Sequence, residues 1–331
     1  MTYVEGQSPP TTQPNAGTAT SSDAVCLWLT RVISAFGILV TAWAAWATGP
    51  MLIHGHPAYT VLLAAVLGVS AVCSVLAWRP RPAAPRRFKV LRAVLMAVSF
   101  AIIATCAWLV PFSATEPALS AMRSDAAVTV TETPTGITFS PAGQAHERGV
   151  FFQPGARVDA RAYAAVLRPL AESGYRVWIP KQPLGIAFLS TGAFDTARDA
   201  ADDISSWVVG GHSLGGTVAA INADSFSGSA SDPVIGLMLY ASYPATDMSA
   251  LSARVLSISG SLDGLATPAK IEASQMDLPA DTSYVVVDGA VHSFFGDYGQ
   301  QPGDGVPSIS HDAARKIISD ESLSFLESLP R

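Results

Sequence analysis

The sequence predicts an α/β domain with a mostly parallel sheet, preceded by an all-α membrane region. From about residue 126 onward, apolar strands alternate with helical segments, which is the pattern of a doubly wound sheet with helices on both faces. Before residue 113, three apolar runs of 18 to 21 residues contain almost no charge. Runs of that length cross a hydrocarbon core of about 30 Å.

Charge divides the chain at the same place. Residues 1–112 hold seven Lys/Arg and two Asp/Glu, and residues 113–331 hold thirteen and twenty-four, so formal charges of +5 and −11 sum to −6. The acidic second half argues against nucleic acid as a partner, because phosphate binding needs clustered Lys and Arg. No spacing around Cys26, Cys73 and Cys106, or around the histidines, indicates a metal site. We expect neither a metal nor another cofactor.

The first half is predicted to be a membrane region. Residues 1–23 are rich in Thr, Ser, Pro and Gly and predict a disordered tail, because they cannot bury enough apolar surface to offset the entropy of ordering. Three transmembrane helices are expected within residues 24–112, in the runs 32–49, 58–78 and 94–112. A cleaved signal sequence in the first run, or buried core helices of a soluble domain, are the alternatives.

The loops between these runs predict the orientation. The loop at 50–57 has no Lys or Arg. The loop at 79–92 carries six such residues: Arg79, Arg81, Arg86, Arg87, Lys89 and Arg92. The positive-inside rule places this basic loop in the cytoplasm, so the amino terminus is expected inside and everything after residue 112 outside. The sequence thus predicts a multi-pass protein of the cell membrane whose second domain is extracytoplasmic.

A linker at 113–125 is expected to lead into an α/β domain at 126–331. Its first two strands, "AVTVTET" and "GITFS", can pair as a hairpin. Six further strands are predicted in the runs 149–155, 175–180, 207–211, 234–242, 253–260 and 283–289. Helices are predicted at 159–174 with Asp159 as N-cap, at 195–206, after Ser213, and at 310–329. Two long connections, 181–194 and 293–309, are typical of binding loops.

One short stretch carries the functional signal. Gly211-His212-Ser213-Leu214-Gly215 matches G-x-S-x-G, follows the strand "WVV" and precedes a helix of small residues. In that context the glycines allow a sharp turn that exposes the serine hydroxyl at the carboxyl end of the sheet. The backbone N–H of Leu214 lies at a helix N-terminus, where it can donate to a developing oxyanion. We interpret Ser213 as a nucleophile.

A serine nucleophile needs a base, and the base needs an orienting acid. Asp263 directly follows the strand "RVLSISG", and His292 directly follows the strand "SYVVVDG". Both therefore lie at strand carboxyl ends, and the order Ser213, Asp263, His292 is the one expected for a hydrolase of this type. The weaker candidates for base or acid are His146, His212, His311, Asp288 and Asp297.

These stretches resemble the α/β-hydrolase superfamily, in particular its small, lidless bacterial members related to dienelactone hydrolases. The carrying residues, between 149 and about 312, are "GVFFQPGARVDARAY", "GHSLGG", "GSLDGLATP" and "VHSFFGDYGQQPGDG". The resemblance implies an α/β-hydrolase fold in which Ser213 attacks a carbonyl carbon, His292 carries the proton and Asp263 orients the imidazole. It also implies a second oxyanion donor after the "VFFQ" strand, with the N–H of Ala156 as the first candidate and Gly155 as the next.

The substrate-binding residues are less well defined. Leu184 and Phe188, in the loop 181–194, are expected either to form an apolar wall of the substrate pocket or to pack on the sheet edge or the membrane surface. Phe294 is expected to shape the mouth of the site, or to belong to a Gly-rich surface loop. The overall expectation is a membrane-anchored serine hydrolase for small carboxylic esters or related acyl compounds. A catalytically silent binding module, and an acyltransferase or thioesterase with the same triad, are the alternatives.

Overall fold

The computed structural model describes residues 21–79 and 89–330. The predicted disordered tail, up to residue 20, and most of the predicted basic loop, residues 80–88, lie outside the described residues. The chain forms two compact units. One comprises Met1–Ala42 and Ala64–Cys106, and the other comprises Trp43–Leu63 and Ala107–Arg331.

Three long helices occupy the predicted membrane region. The helices of this region are α1 (Ser21–Thr48), α2 (Met51–His54), α3 (Pro57–Ala77) and α4 (Lys89–Trp108). Helices α1, α3 and α4 contain stretches long and apolar enough to cross a membrane. Helix α1 begins well before the predicted start at residue 32. Its charged residue Arg31 is accommodated there because the guanidinium donates to the Ala77 carbonyl at 3.1 Å and lies 4.0 Å from the Trp78 ring.

The described residues of the second unit form one eight-stranded, mostly parallel sheet. The strands are β1 (Val128–Glu132), β2 (Gly136–Pro141), β3 (Arg148–Gln153), β4 (Arg176–Pro180), β5 (Ser206–His212), β6 (Val234–Tyr240), β7 (Arg254–Gly260) and β8 (Ser283–Val287). Their order is β1-β2-β4-β3-β5-β6-β7-β8. The pairs β1/β2 and β2/β4 are antiparallel, and the other pairs are parallel. The predicted sheet and its leading hairpin are confirmed.

Helices cover both faces of this sheet. Those of the second domain are α5 (Ala118–Ala121), α6 (Ala164–Glu172), α7 (Ala193–Asp199), α8 (Leu214–Phe226), α9 (Pro268–Ala273) and α10 (His311–Ser328). Alternation along β3 shows the two layers, because Val150 and Phe152 join the core with α6 and α10, whereas Phe151 joins the core with α7 and α8. The α/β fold class expected from the sequence is therefore confirmed.

Two helix boundaries differ from the predictions. The helix predicted at 159–174 begins with Asp159, whose carboxylate accepts from the Arg161 N–H at 3.0 Å, but its first turn is a 3₁₀ helix at Ala160–Tyr163. The helix predicted at 195–206 ends at Asp199. The two carboxylates that follow, Asp202 and Asp203, would stand at the negative end of the helix dipole and so disfavour its continuation.

The segment predicted as a linker packs against the α/β domain. Phe112 exchanges backbone hydrogen bonds with the loop after β3, donating to Arg157 at 2.7 Å and accepting from Asp159 at 3.0 Å. Ala118, in the short helix α5, is completely buried in the core beside α6. Residues 113–125 therefore contribute to the core as well as connecting α4 to β1. The proposed division into tail, membrane region, linker and domain stays a prediction.

Candidate active site

A strained turn holds Ser213 at the carboxyl end of β5. Strand β5 ends at His212 and helix α8 begins at Leu214, so Ser213 alone makes the turn, with φ 53° and ψ −125°. A non-glycine residue in this region costs of order 1–3 kcal/mol, which surrounding contacts must offset. The Ser213 N–H donates to the Tyr240 carbonyl at 3.0 Å, and the Ser213 carbonyl accepts from Ser242 Oγ at 2.6 Å. This is the strand–turn–helix geometry expected of a nucleophile elbow.

The loop after β3 lies directly against this turn. A Cβ atom on Gly215 would lie 2.2 Å from the carbonyl oxygen of Gln153 and 2.3 Å from that of Pro154. Only glycine permits such an approach without a backbone shift. The sequence motif thus requires glycine here because the start of α8 touches the segment that carries the second predicted oxyanion donor.

Two backbone N–H groups beside the turn are free to bind an oxyanion. Leu214 is the first residue of α8, so its N–H has no partner within the helix. Within the described residues the N–H of Ala156 donates to no other group. The N–H of Gly155, in contrast, donates to Tyr163 Oη at 2.8 Å. Ala156 therefore stays the first candidate of the two in this loop.

Asp263 and His292 form a buried hydrogen-bonded pair. The Nδ1 atom of His292 lies 2.8 Å from Asp263 Oδ2, and both residues are almost fully buried, with relative exposures of 1% and 3%. The second carboxylate oxygen, Oδ1, accepts from the N–H groups of Leu265 and Ala266 at 2.7 and 2.8 Å. When Nδ1 donates to the carboxylate, Nε2 becomes the acceptor of the imidazole ring.

The pairing of His292 with Ser213 stays a prediction. No hydrogen bond joins their side chains within the described part of the chain. The His292 ring nevertheless lies close to the nucleophile turn, because its centroid is 4.5 Å from that of His212, the residue directly before Ser213. Catalytic hydrogen bonds are often formed only when substrate is bound.

Asp304 is a residue that sequence reasoning missed. Its carboxylate accepts from four backbone N–H groups, those of Gly264, His292, Ser293 and Gly305, at 2.8 to 3.2 Å. It therefore joins the loop that follows Asp263 to the loop that holds His292. Burial acts to raise the pKa of Asp304, but the four N–H groups together hold that pKa below its ordinary value. No sequence pattern predicts such a site, because every donor to the carboxylate is a backbone N–H group.

His212 belongs to a separate buried network. Tyr163 Oη lies 2.8 Å from His212 Nδ1 while it accepts from the Gly155 N–H, so the phenol donates to the imidazole. Burial, followed by the nearby charge of His292, lowers the pKa of His212 well below its ordinary value. His212 is therefore neutral and bonds locally.

The remaining candidates lie in different surroundings. His311 Nε2 lies 3.4 Å from Asp297, which is also paired with Arg315 at 2.5 Å. The Phe294 ring stacks on His311, with centroids 4.4 Å apart. Leu184 lines a cavity together with residues of the loop after β3, and Phe188 is 47% exposed. The substrate-binding roles of Leu184, Phe188 and Phe294 stay predictions. Within residues 21–79 and 89–330, no cluster of three or more His, Cys, Asp or Glu side chains could hold a metal ion.

Several solved structures of hydrolases resemble this chain, among them the following three. A predicted CIB-like hydrolase from Thermoplasma acidophilum is 14% identical, with 60% of this chain and 99% of that chain covered and a TM-score of 0.46. A putative dienelactone hydrolase from Klebsiella pneumoniae is 15% identical, with 61% and 98% covered and a TM-score of 0.45. EstE1, a carboxylesterase from a metagenomic library, is 15% identical, with 65% and 93% covered and a TM-score of 0.47. At these scores the likenesses carry no argument about activity.

Comparison with protein families is more decisive. No curated protein matches this chain. A family model described as "Alpha/beta hydrolase family" matches residues 149–316, which is just over half of the 331 residues. The match includes Ser213, Asp263 and His292 and begins one residue into β3. The chain therefore belongs to the α/β hydrolase family.

Proposed function

We propose that this protein is a membrane-anchored serine hydrolase that cleaves carboxylic esters or related acyl compounds. The observation that carries the proposal is the buried Asp263–His292 pair beside the strained Ser213 turn, at the carboxyl ends of β5, β7 and β8. Family membership supports hydrolysis as the reaction class.

The chemistry follows from the roles of these three side chains. Ser213 Oγ attacks the acyl carbon while His292 Nε2 takes the hydroxyl proton, and the same proton then passes to the leaving alcohol. Asp263 holds the imidazole in the tautomer that leaves Nε2 free and stabilises the imidazolium. A water molecule, deprotonated by His292, next attacks the acyl-enzyme and releases the carboxylic acid and Ser213.

The oxyanion of both tetrahedral intermediates would lie against the N–H groups of Leu214 and Ala156. Both groups are unpartnered within their own segments, and the contact of Gly215 with the loop after β3 holds the two segments together. Donors fixed in advance are effective because they need no reorganisation as charge develops.

The membrane-spanning role of α1, α3 and α4 completes the proposal. Many of their large apolar side chains are exposed, among them Leu39, Val61, Val69 and Val90. Apolar surface of this extent is compatible with lipid rather than water. With the basic loop at 79–92 in the cytoplasm, the catalytic domain is extracytoplasmic.

Covalent labelling tests the proposal. The full chain in neutral detergent is treated with a fluorophosphonate, and the modified residue is located by peptide mass spectrometry. We expect stoichiometric labelling at Ser213 that disappears in Ser213→Ala and persists in Ser274→Ala, which removes a buried serine elsewhere in the fold. Folded protein that is not labelled would favour the catalytically silent binding module.

A further inference from the structure

A cavity within the second unit lies apart from the three proposed catalytic residues. It contains about 470 Å³ of empty space, its open mouth included. Its walls come from the segment between α1 and α3, from the residues after α4, and from the loops after β3 and β4; they include Met51, His56, Leu109, Arg157, Lys181 and Gln182. Ser213, Asp263 and His292 are not among the lining residues of this cavity, although Leu184 is.

Arg157 supplies a cation without an acidic partner. Its guanidinium lies 4.8 Å from the Trp108 ring and 5.0 Å from the Phe112 ring, and it donates to the Trp108 carbonyl. Among the described residues no carboxylate pairs with it. A half-buried guanidinium that faces a cavity is costly to desolvate unless an anion neutralises it. This side chain indicates an anionic ligand.

Lys181, on the neighbouring wall of the cavity, is a cation that already has an acidic partner. Its Nζ lies 2.8 Å from Glu132, so its charge is already neutralised, and the same carboxylate accepts from His54 at 3.1 Å. His56 Nδ1 accepts from the Ala58 N–H at 3.1 Å, which places the proton of the neutral ring on Nε2. His56 can therefore donate a hydrogen bond to an oxygen of the ligand.

Gln182 indicates that the ligand carries a hydrogen-bond donor. The side chain lines the cavity, is 95% buried, and its Oε1 has no hydrogen-bond partner. Its amide nitrogen is already bound, to Gln153 Oε1 at 3.0 Å and to the Pro154 carbonyl at 2.9 Å. An unpaired buried acceptor is unfavourable, and a hydroxyl group of the ligand would supply the missing donor.

The position of the walls along the chain indicates where this ligand comes from. Met51 and His56 lie between the end of the first candidate span at Thr48 and the start of the second at Pro57, and Leu109 follows the end of the third at Trp108. In an up–down–up path these three ends lie on the same side of the bilayer. Given the membrane placement under the proposed function, on which this step rests, the walls lie at the depth of lipid headgroups.

We propose that this cavity binds the headgroup of an anionic, hydroxyl-bearing membrane lipid. Arg157 binds the phosphate, His56 donates to a phosphate oxygen, and Gln182 accepts from a headgroup hydroxyl. Met51, Tyr59 and Leu109 contact the first carbons of the acyl chains. Phosphatidylglycerol has this chemistry, whereas phosphatidylcholine lacks both the net charge and the hydroxyl.

Native mass spectrometry of the full chain in neutral detergent tests the proposal. The protein is titrated with phosphatidylglycerol or phosphatidylcholine of identical chains, and the bound lipid is counted. We expect phosphatidylglycerol to bind about tenfold more tightly, and Arg157→Gln to remove most of that preference, because the substitution removes the charged donor to the phosphate. Arg176→Gln is the matched control, since Arg176 also lies over a tryptophan but is paired with Asp203.

A second variant separates binding from folding. Met51→Trp fills the cavity and leaves every charge in place, so it should also lose the lipid while its melting temperature stays close to that of the wild type. Equal binding of the two lipids, or equal loss in Arg157→Gln and Arg176→Gln, would overturn the proposal. Displacement of the lipid by millimolar inorganic phosphate would also contradict it and assign the site to a free anion.

Fluorophosphonate labelling of the same samples distinguishes this proposal from the proposed function. Labelled protein without lipid preference means that the cavity proposal fails and the hydrolase proposal stands. Lipid preference without labelling means that the hydrolase proposal fails and the cavity proposal stands.

Discussion

Two Asp–His pairs in the described part of the α/β domain differ in their burial and in their hydrogen bonding. Asp263 and His292 are joined at 2.8 Å and both side chains are almost fully buried. Asp297 and His311 are 3.4 Å apart, and the His311 side chain is 28% exposed. In the sequence, Asp263 and His292 each follow a predicted strand, whereas Asp297 and His311 are separate, weaker candidates for the acid and the base.

The difference between the pairs lies in what else each carboxylate binds. Asp263 accepts from two backbone N–H groups and the imidazole, so its negative charge remains available to stabilise an imidazolium. Asp297 is neutralised by Arg315 at 2.5 Å. Burial lowers the pKa of His311, and the attraction of Asp297 opposes that effect only in part. An aspartate can support a histidine base only when no cation already neutralises its carboxylate.

Exchanging each aspartate for asparagine should separate the pairs most strongly. Asp263→Asn is expected to lower kcat for a soluble ester by about 10⁴-fold, because the amide favours the wrong imidazole tautomer. Asp297→Asn should leave kcat within about twofold and instead lower the free energy of unfolding by about 2 kcal/mol, since Arg315 loses one charged partner but keeps Asp312 at 2.6 Å. Steady-state kinetics and thermal melting of both variants measure these effects. Similar losses of kcat in the two variants would contradict the difference expected between the two pairs.

Removing one backbone donor sharpens the comparison, because it tests the oxyanion site proposed together with the first pair. Ala156→Pro deletes the N–H proposed to bind the oxyanion and should lower kcat by about 10²–10³-fold with a smaller change in KM. Ala156→Gly retains the N–H and should keep most of the activity. The measurement is the same ester assay, with melting curves to show that both variants are folded. Unchanged kcat in folded Ala156→Pro would assign the second donor to another residue.

Substitution of Asp304 is expected to have the smallest and most specific effect. The carboxylate of Asp304 supports the Asp263–His292 pair only through hydrogen bonds from backbone groups. The pKa of Asp304 is lower in the folded protein than in the unfolded chain, so its stabilising effect is present above the unfolded value of about 3.9 and is lost as the pH falls through the folded value. Asp304→Asn should therefore cost about 1–2 kcal/mol of unfolding free energy at pH 7. That cost should shrink below about pH 4.

Denaturant unfolding at several pH values measures this difference. Asp288→Asn is the matched control, since Asp288 is exposed and binds only Ser261 Oγ. A cost for Asp304→Asn that stays the same down to pH 3 would contradict the linkage. An equal cost in the control variant would show that the effect is not specific to Asp304.

The sequence predicted the parts of the site that depend on local pattern. The alternation of strands and helices gave the sheet, and the positions directly after β5, β7 and β8 gave Ser213, Asp263 and His292. Asp304 could not be predicted, because its partners are backbone groups up to 40 residues away and no side-chain pattern encodes them. The cavity at Arg157 was equally invisible, since its walls come from segments more than a hundred residues apart. Helix α7 ends earlier than predicted because a pair of carboxylates follows it. In the sequence analysis, the helical periodicity received more weight than this pair.

The close approach at Gly215 has a consequence for how inhibitors should bind. Because the carbonyl oxygens of Gln153 and Pro154 pack against its α-carbon, the nucleophile turn and the neighbouring loop behave as one rigid piece. A tetrahedral boronate would then meet both proposed oxyanion donors already in position, and its association would not wait for a loop to close.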